Sequence, residues 1–155
     1  MSSTTIAQSE TIICKPFSKL TLDELYKILR LRSEVFIVEQ DCVYQDVDDN
    51  DQDALHLWMT IDGKWVAYAR VLPAGTYFDE IGIGRVITLE RGKGYGLQIF
   101  REAMNVAEKY FKAESILIRA QLQAEHFYEK AGFYRVGEPF MYEGLMHVDM
   151  RWKKA

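Results

Sequence analysis

The chain has 155 residues, 48% of them hydrophobic and 27% charged, and a net charge of −4. This composition excludes disordered, fibrous and disulfide-scaffold classes, and a chain of this length buries roughly 70% of its unfolded surface around one core. No stretch approaches the ~18 uncharged apolar residues of a membrane span, so no membrane partner is expected.

Cys14 and Cys42 lie outside any C-x-x-C pair and read as reduced thiols of a cytoplasmic protein. The polar start, without the basic and apolar runs of a secretory signal, marks residues 1–10 as a loose end and 11–155 as a single domain. Ile12 and Ile13 open a short strand. Thr21-Leu22-Asp23-Glu24 has capping-box spacing and starts a helix, whose apolar face runs through Leu22, Leu25, Tyr26, Leu29 and on to Phe36. The six acids Asp41, Asp46, Asp48, Asp49, Asp51 and Asp53 follow without a lysine or arginine among them, and outside them the chain carries a net +2. Neither balance draws a nucleic-acid backbone from a distance.

Leu55 to Ile61 and Lys64 to Leu72, joined by Asp62-Gly63, predict a hairpin with a type I′ turn. Ile81 to Leu89 reads as a strand whose glycines admit close approach of another group. From Gly96, the residues Leu97, Phe100, Ala103, Met104, Ala107 and Phe111 keep the strongest helical period in the chain. A buried strand at Ile116 to Ile118 follows, then a helix from Leu122 to Ala131 stopped by Gly132. Two closing strands, Phe133 to Val136 and Met146 to Trp152, complete the order.

The segment Arg91-Gly92-Lys93-Gly94-Tyr95-Gly96 turns a strand into the long helix. Such a turn exposes unpaired N–H groups at the positive end of a helix dipole, which is where anions bind. No Ser/Thr follows Lys93, so it is not a Walker A loop, and the spacing Gly92, Gly94, Gly96 is not a dinucleotide fingerprint. The acidic segment fails as a calcium loop: counting from Asp46, the sixth and twelfth residues are Asp51 and Leu57 rather than Gly and Glu. His56, His126 and His147 are too scattered for a zinc motif, so no metal is expected.

Arg91-x-x-Gly94-x-Gly96, followed by Phe127-Tyr128-Glu129-Lys130-Ala131-Gly132-Phe133, resembles the GNAT superfamily of acetyl-CoA-dependent N-acyltransferases. The segment Arg32 to Gln40, with Tyr44, Asp46, Asp48 and His56, is similar to its ElaA-like branch. The resemblance implies an α/β fold, with a central mixed, mostly antiparallel sheet splayed at the coenzyme site and flanked by helices. It implies that acetyl-CoA is held by Arg91, Gly92, Lys93, Gly94, Tyr95 and Gly96 at the pyrophosphate, by Val86, Ile87 and Thr88 along the pantetheine, and by Gln121. The link from Val86 to Arg91 is shorter than the family's, which leaves the register of the pantetheine contacts open. Tyr128 would protonate the departing sulfur, since a phenol with a pKa of about 10 still holds its proton at neutral pH.

The implied reaction is direct attack of a primary amine, on a small molecule or a peptide, upon the thioester. It needs a base, because an alkyl ammonium of pKa about 10 is mostly protonated at neutral pH. Glu39 and His56 are the leading candidates, with Glu34, Asp46, Asp48 and Glu90 behind them. The acidic segment is either a solvated loop or the wall that attracts a cationic acceptor. A homodimer is compatible with this reading. The alternatives are a coenzyme A sensor that no longer turns over and, less favoured by the charge, a single-strand nucleic-acid binder using the 13% aromatic residues.

Overall fold

Asp62 and Gly63 both take positive φ, 50° and 81°. This is the type I′ geometry that matches strand twist. They join β2 (Leu55–Ile61) to β3 (Lys64–Leu72), the second and third strands of an eight-stranded sheet. The computed structural model describes residues 9–155. The loose end expected at residues 1–10 therefore lies outside the described residues except for Ser9 and Glu10, and Glu10 already pairs with Ile61.

The other strands are β1 (Glu10–Pro16), β4 (Gly82–Thr88), β5 (Ser115–Gln121), β6 (Tyr134–Arg135), β7 (Phe140–Tyr142) and β8 (Leu145–Lys153). Their order is β1-β2-β3-β4-β5-β8-β6, with β7 also on β8. Every pairing is antiparallel except β4 with β5. The sheet is thus mixed and mostly antiparallel.

Alternation along the strands sorts side chains to two faces. Leu57, Met59, Ala67, Ala69 and Val71 pack with Ile99, Phe100 and Ala103 of α2 (Tyr95–Phe111). Trp58, Tyr68 and Ile87 point to the opposite face and meet Ile28 and Leu31 of α1 (Leu22–Arg32). The start of α1 is fixed by the reciprocal bonds of the expected capping box, Glu24 N–H to Thr21 Oγ1 at 3.1 Å and Thr21 N–H to Glu24 Oε1 at 2.8 Å. Beyond Arg32 the helix does not simply continue: over Ser33–Glu39 it widens into a π-type ladder.

The α1 face also holds an ionic layer. Arg32, 0% exposed, donates to Asp51 at 2.6 Å and to Asp46 at 3.1 Å. Arg70, 1% exposed, donates to Asp48 at 2.5 Å and to Asp51 at 2.9 Å. Arg85 reaches Asp46 at 2.8 Å and Asp48 at 3.3 Å. Half of the acidic segment is therefore neither solvated nor turned toward a ligand; three arginines from three separate elements neutralise it. Charges taken out of water must be paired this closely to persist. His56 is buried beside them, its Nε2–H donating to the Asp51 carbonyl at 2.9 Å and its Nδ1 accepting from the Tyr68 hydroxyl at 2.7 Å.

The arginines hold the Asp48 and Asp51 carboxyls below the usual range despite burial, and burial pushes the His56 imidazole down. Both effects weaken the fold in acid. The unfolded chain takes up the histidine proton first, so stability falls as the pH drops below about 6.5; the two aspartates add a second loss below about pH 4. Urea unfolding between pH 8 and 3 is expected to show both stages, and only the second in a His56→Gln variant. Arg32→Leu, which strands Asp46 and Asp51 without it, is expected to cost about 3–5 kcal/mol in the same measurement at pH 7.

Candidate active site

The β4–β5 ladder has a single registered pair, Gly82 with Leu117, closed by the Leu117 N–H to Ile81 carbonyl bond at 2.9 Å. Beyond it the strands part. Two features of β4 enforce this. A Cβ on Gly82 would come within 3.1 Å of Phe78 and 3.4 Å of the Leu117 carbonyl, so glycine allows the one close contact. Past Gly84 the strand bulges: Arg70 pairs with Gly84 and Tyr68 with Ile87, leaving Arg85 and Val86 opposite Ala69, and Arg85 takes a φ of 53°. A bulge adds twist and turns backbone groups out of the ladder. Leu89 N–H donates back to the Val66 carbonyl at 2.9 Å, so alternation turns the Ile87 amide to β3 and those of Val86 and Thr88 to the open side.

The gap is a cleft of about 850 Å³ between β4 and β5. At one mouth lies the glycine turn. Gly92 and Gly94 have φ of 81° and 79°, and a Cβ on either would meet nothing within 4 Å. Gln98 N–H makes the first helical bond, to the Gly94 carbonyl at 3.1 Å. The amides of Tyr95, Gly96 and Leu97 precede it and have no acceptor within the helix. Gly96 has a different role from its neighbours: its Cβ would lie 3.3 Å from Thr88 Cβ, so glycine lets the helix start sit directly on the end of β4. Thr88 Oγ1 is buried there with no hydrogen-bond partner among the described residues.

Tyr128 stands in α3 (Glu125–Glu129), which follows a 3-10 turn at Leu122–Ala124. The expected helix from Leu122 to Ala131 is therefore shorter and tighter at its start. Its end is as expected. Gly132 has a φ of 93°, Gly132 N–H donates to the Glu129 carbonyl at 3.0 Å and Phe133 N–H to that of Tyr128 at 3.2 Å. This is a Schellman closure. Tyr128, Phe127 and Phe133 all pack edgewise on Phe100, with the Tyr128 ring 4.9 Å away. The clamp leaves the Tyr128 hydroxyl bordering the cleft, and burial pushes its pKa up to about 12.

Of the residues singled out from the sequence, Val86, Ile87, Thr88, Glu90, Arg91, Gly92, Gly94, Gly96, Gln121 and Tyr128 line this one cleft. Gln121 spans it, donating to Gln40 Oε1 at 3.1 Å. Seven others do not line it, among them Glu34 on the π-type turn and Asp46 and Asp48 in the ionic layer. Lys93 points to solvent, Tyr95 is built into the core beneath α2, Glu39 is exposed at the end of the π-type turn, and His56 is sealed in the ionic layer. The far side is lined by groups not singled out as site residues: Arg119, Tyr142 and His147, with Cys42 and Tyr44 facing them from the segment after the π-type turn. Arg119 pairs with Asp149 through two bonds of 2.9 and 3.2 Å and sits 4.7 Å from the Tyr142 ring centre. Glu143-Gly144, with φ of 49° and 79°, closes a second hairpin of the I′ kind between β7 and β8. Reading that turn in the sequence would have brought Tyr142 and His147 together.

The profile of the acetyltransferase (GNAT) domain family matches residues 18–154. The chain is 34% identical to Protein ElaA of Escherichia coli over 137 residues, 86% of this chain and 90% of that one. It is 35% identical to a UPF0039 protein of Schizosaccharomyces pombe over 143 residues, 90% and 94% of the two chains. Among solved structures, E. coli ElaA superposes with a TM-score of 0.86 at 32% identity, covering 94% of this chain and 100% of that one. An acyl-CoA N-acyltransferase from Pseudomonas aeruginosa superposes with a TM-score of 0.85 at 37% identity, covering 93% and 99%.

Replacing Gly132 by alanine forces a side chain into a left-handed conformation 3.4 Å from Trp152. The expected cost is about 1–2 kcal/mol, measured by chemical denaturation. Unchanged stability would show that the clamp on Tyr128 does not depend on this residue.

Proposed function

Because the chain belongs to the GNAT acetyltransferase family, and within it to the ElaA-like branch, we propose that it moves the acetyl group of acetyl-CoA to a primary amine of a small molecule or peptide by direct attack. The observation that carries this reading is the convergence, in one cleft, of an open glycine turn, an unpaired strand edge and a clamped phenol. No second reading has an observation of its own.

The cleft suits acetyl-CoA chemically. Free helix amides at 95–97, the space left by Gly92 and Gly94, and the Arg91 side chain suit a diphosphate. The outward amides of Val86 and Thr88 suit an extended amide chain laid against β4 in the manner of an added strand. The unsatisfied Thr88 Oγ1 offers a donor and acceptor beside it. Lys93, on the outer side of the turn, would contribute its charge without lining the cleft.

From there each residue has a task. The turn and β4 hold the thioester so that its carbonyl oxygen meets a fixed backbone N–H near the bulge, where negative charge develops. Tyr128 keeps its proton through the neutral range because its surroundings are apolar, and it gives that proton to the sulfur as the carbon–sulfur bond breaks. The clamp of Gly132 and Phe100 keeps the hydroxyl at one place, so little positioning entropy remains to be lost during the reaction.

Acetyl-CoA titrated calorimetrically is expected to bind, and free thiol is expected to appear when polyamines, amino acids, aminoglycosides or peptides are added. Tyr128→Phe is expected to lower kcat by about a hundredfold with coenzyme affinity within twofold. Gly94→Ala is expected to weaken acetyl-CoA binding by about tenfold, since a left-handed alanine strains the turn by 1 kcal/mol or more. Binding without thiol release from any of these amines would overturn acetyl transfer in favour of sensing.

A further inference from the structure

The acetyl-transfer reading requires a group that removes a proton from the acceptor, and the candidates weighed from the sequence are poorly placed for it. His56 has both ring nitrogens engaged, and Asp46 and Asp48 are neutralised by arginines. Glu34 and Glu39 are exposed on the π-type turn and do not line the cleft. Glu90 also lines the cleft, but at the glycine-turn mouth, where its side chain is 41% exposed and faces Lys64 at 3.8 Å.

His147 is different on each count. It is 9% exposed and lines the cleft. It pairs across β5 and β8 with Gln121, on the same face as Arg119 and Asp149. Its Nδ1 lies 2.8 Å from the Leu145 carbonyl oxygen. A carbonyl only accepts, so Nδ1 carries a proton, and in the neutral ring the lone pair is on Nε2. No hydrogen bond to Nε2 is made among the described residues. The other cleft-side groups are committed elsewhere: Arg119 to Asp149, Tyr142 to the Tyr77 hydroxyl, and Cys42 as a donor to the Glu143 carbonyl at 2.6 Å. Glu143 itself is exposed, and Arg85 stacks on Tyr44 at 5.6 Å while bound to the aspartates.

We propose that His147 Nε2 is the general base of the transfer, receiving the acceptor's proton directly or through one water; this rests on the acetyl-transfer reading above. The acceptor ammonium gives one proton to Nε2, the electron pair so freed goes to the carbonyl carbon, and the second proton of the nitrogen passes to solvent as the amide forms. The carbon–sulfur bond breaks with its pair on sulfur, and sulfur takes the Tyr128 proton. His147 ends as an imidazolium and Tyr128 as a phenolate, and a proton passing from one to the other through solvent resets both. The Leu145 carbonyl, bonded to Nδ1–H, steadies the imidazolium in the same way that an oriented acceptor does for other catalytic histidines.

His147→Asn retains a donor toward Leu145 and lacks Nε2. With the panel amine that the wild type acetylates fastest, this variant is expected to lose kcat/KM by about a hundredfold or more. The acid-side slope of its pH profile should fall by one, exogenous imidazole should restore part of the rate, and acetyl-CoA affinity by calorimetry should stay within twofold. Undiminished kcat/KM with the same acid-side slope overturns the assignment while leaving acetyl transfer intact. A wild type that releases no thiol from any amine removes the transfer reading and this assignment with it. Long-range 1H–15N spectra of the unaltered protein add a check independent of the variant: an Nε2-protonated His147 at neutral pH overturns the proposal.

Discussion

The parting of β4 from β5 is the constraint on which the rest of the molecule depends. A parallel pair inside a sheet normally continues its ladder, because buried backbone groups left unpaired cost free energy. Here the ladder stops after Gly82 and Leu117, and the β4 bulge at Arg85 and Val86 turns amides into the gap. An arrangement of this kind is stable when something else holds the two halves. On the α2 side that is the aromatic cluster on Phe100; on the α1 side the ionic layer braces β3 and β4, and the bond from the Cys42 thiol to the Glu143 carbonyl reaches across to the β7–β8 hairpin. The cleft is therefore a built feature, open because both flanks are rigid.

The ionic layer deepens this point. Arg85 sits at the bulge with a left-handed backbone, and its guanidinium is bound by Asp46 and Asp48 while stacking on Tyr44. The same aspartates bind Arg32 at the end of α1 and Arg70 on β3. One network thus ties the strained strand to the helix and to the segment that carries Cys42 and Tyr44 to the cleft. Its three arginines and three aspartates cancel. The site consequently owes no net field to these three aspartates, and the acids of the segment that stand outside the network are Asp41, Asp49 and Asp53.

Much of this was legible in the sequence where the chemistry is local. Asp62-Gly63 announced a hairpin, Thr21 and Glu24 a helix start, and Gly132 a helix stop, because each device acts within a few residues. The glycine turn was legible for the same reason, whereas Tyr128 was singled out by the family resemblance and its role is part of the proposal. What escaped was convergence. Nothing near Asp46 reveals that Arg32, Arg70 and Arg85 will close on it, so the segment read as solvated or substrate-facing. Glu143-Gly144 lacks the Asn or Asp that marks a I′ turn, so β7 went unseen, and with it the neighbours of His147. His147 meets Gln121 only through the register of β5 on β8, which alternation within either strand cannot supply.

The three glycines spaced by two show how one short pattern serves two purposes. Gly92 and Gly94 are needed for backbone conformation: positive φ turns the chain sharply and leaves open space beside it. Gly96, with ordinary helical φ, is needed for proximity, since a methyl group there would press on Thr88. The two requirements are linked. Without the close seat of Gly96 on Thr88, the free amides of the helix start would stand away from the end of β4. Without the left-handed turn, they would not face the cleft. An anion bound at that mouth and an extended chain laid on Val86 and Thr88 would then belong to separate sites; the contact at Gly96 is what makes them one.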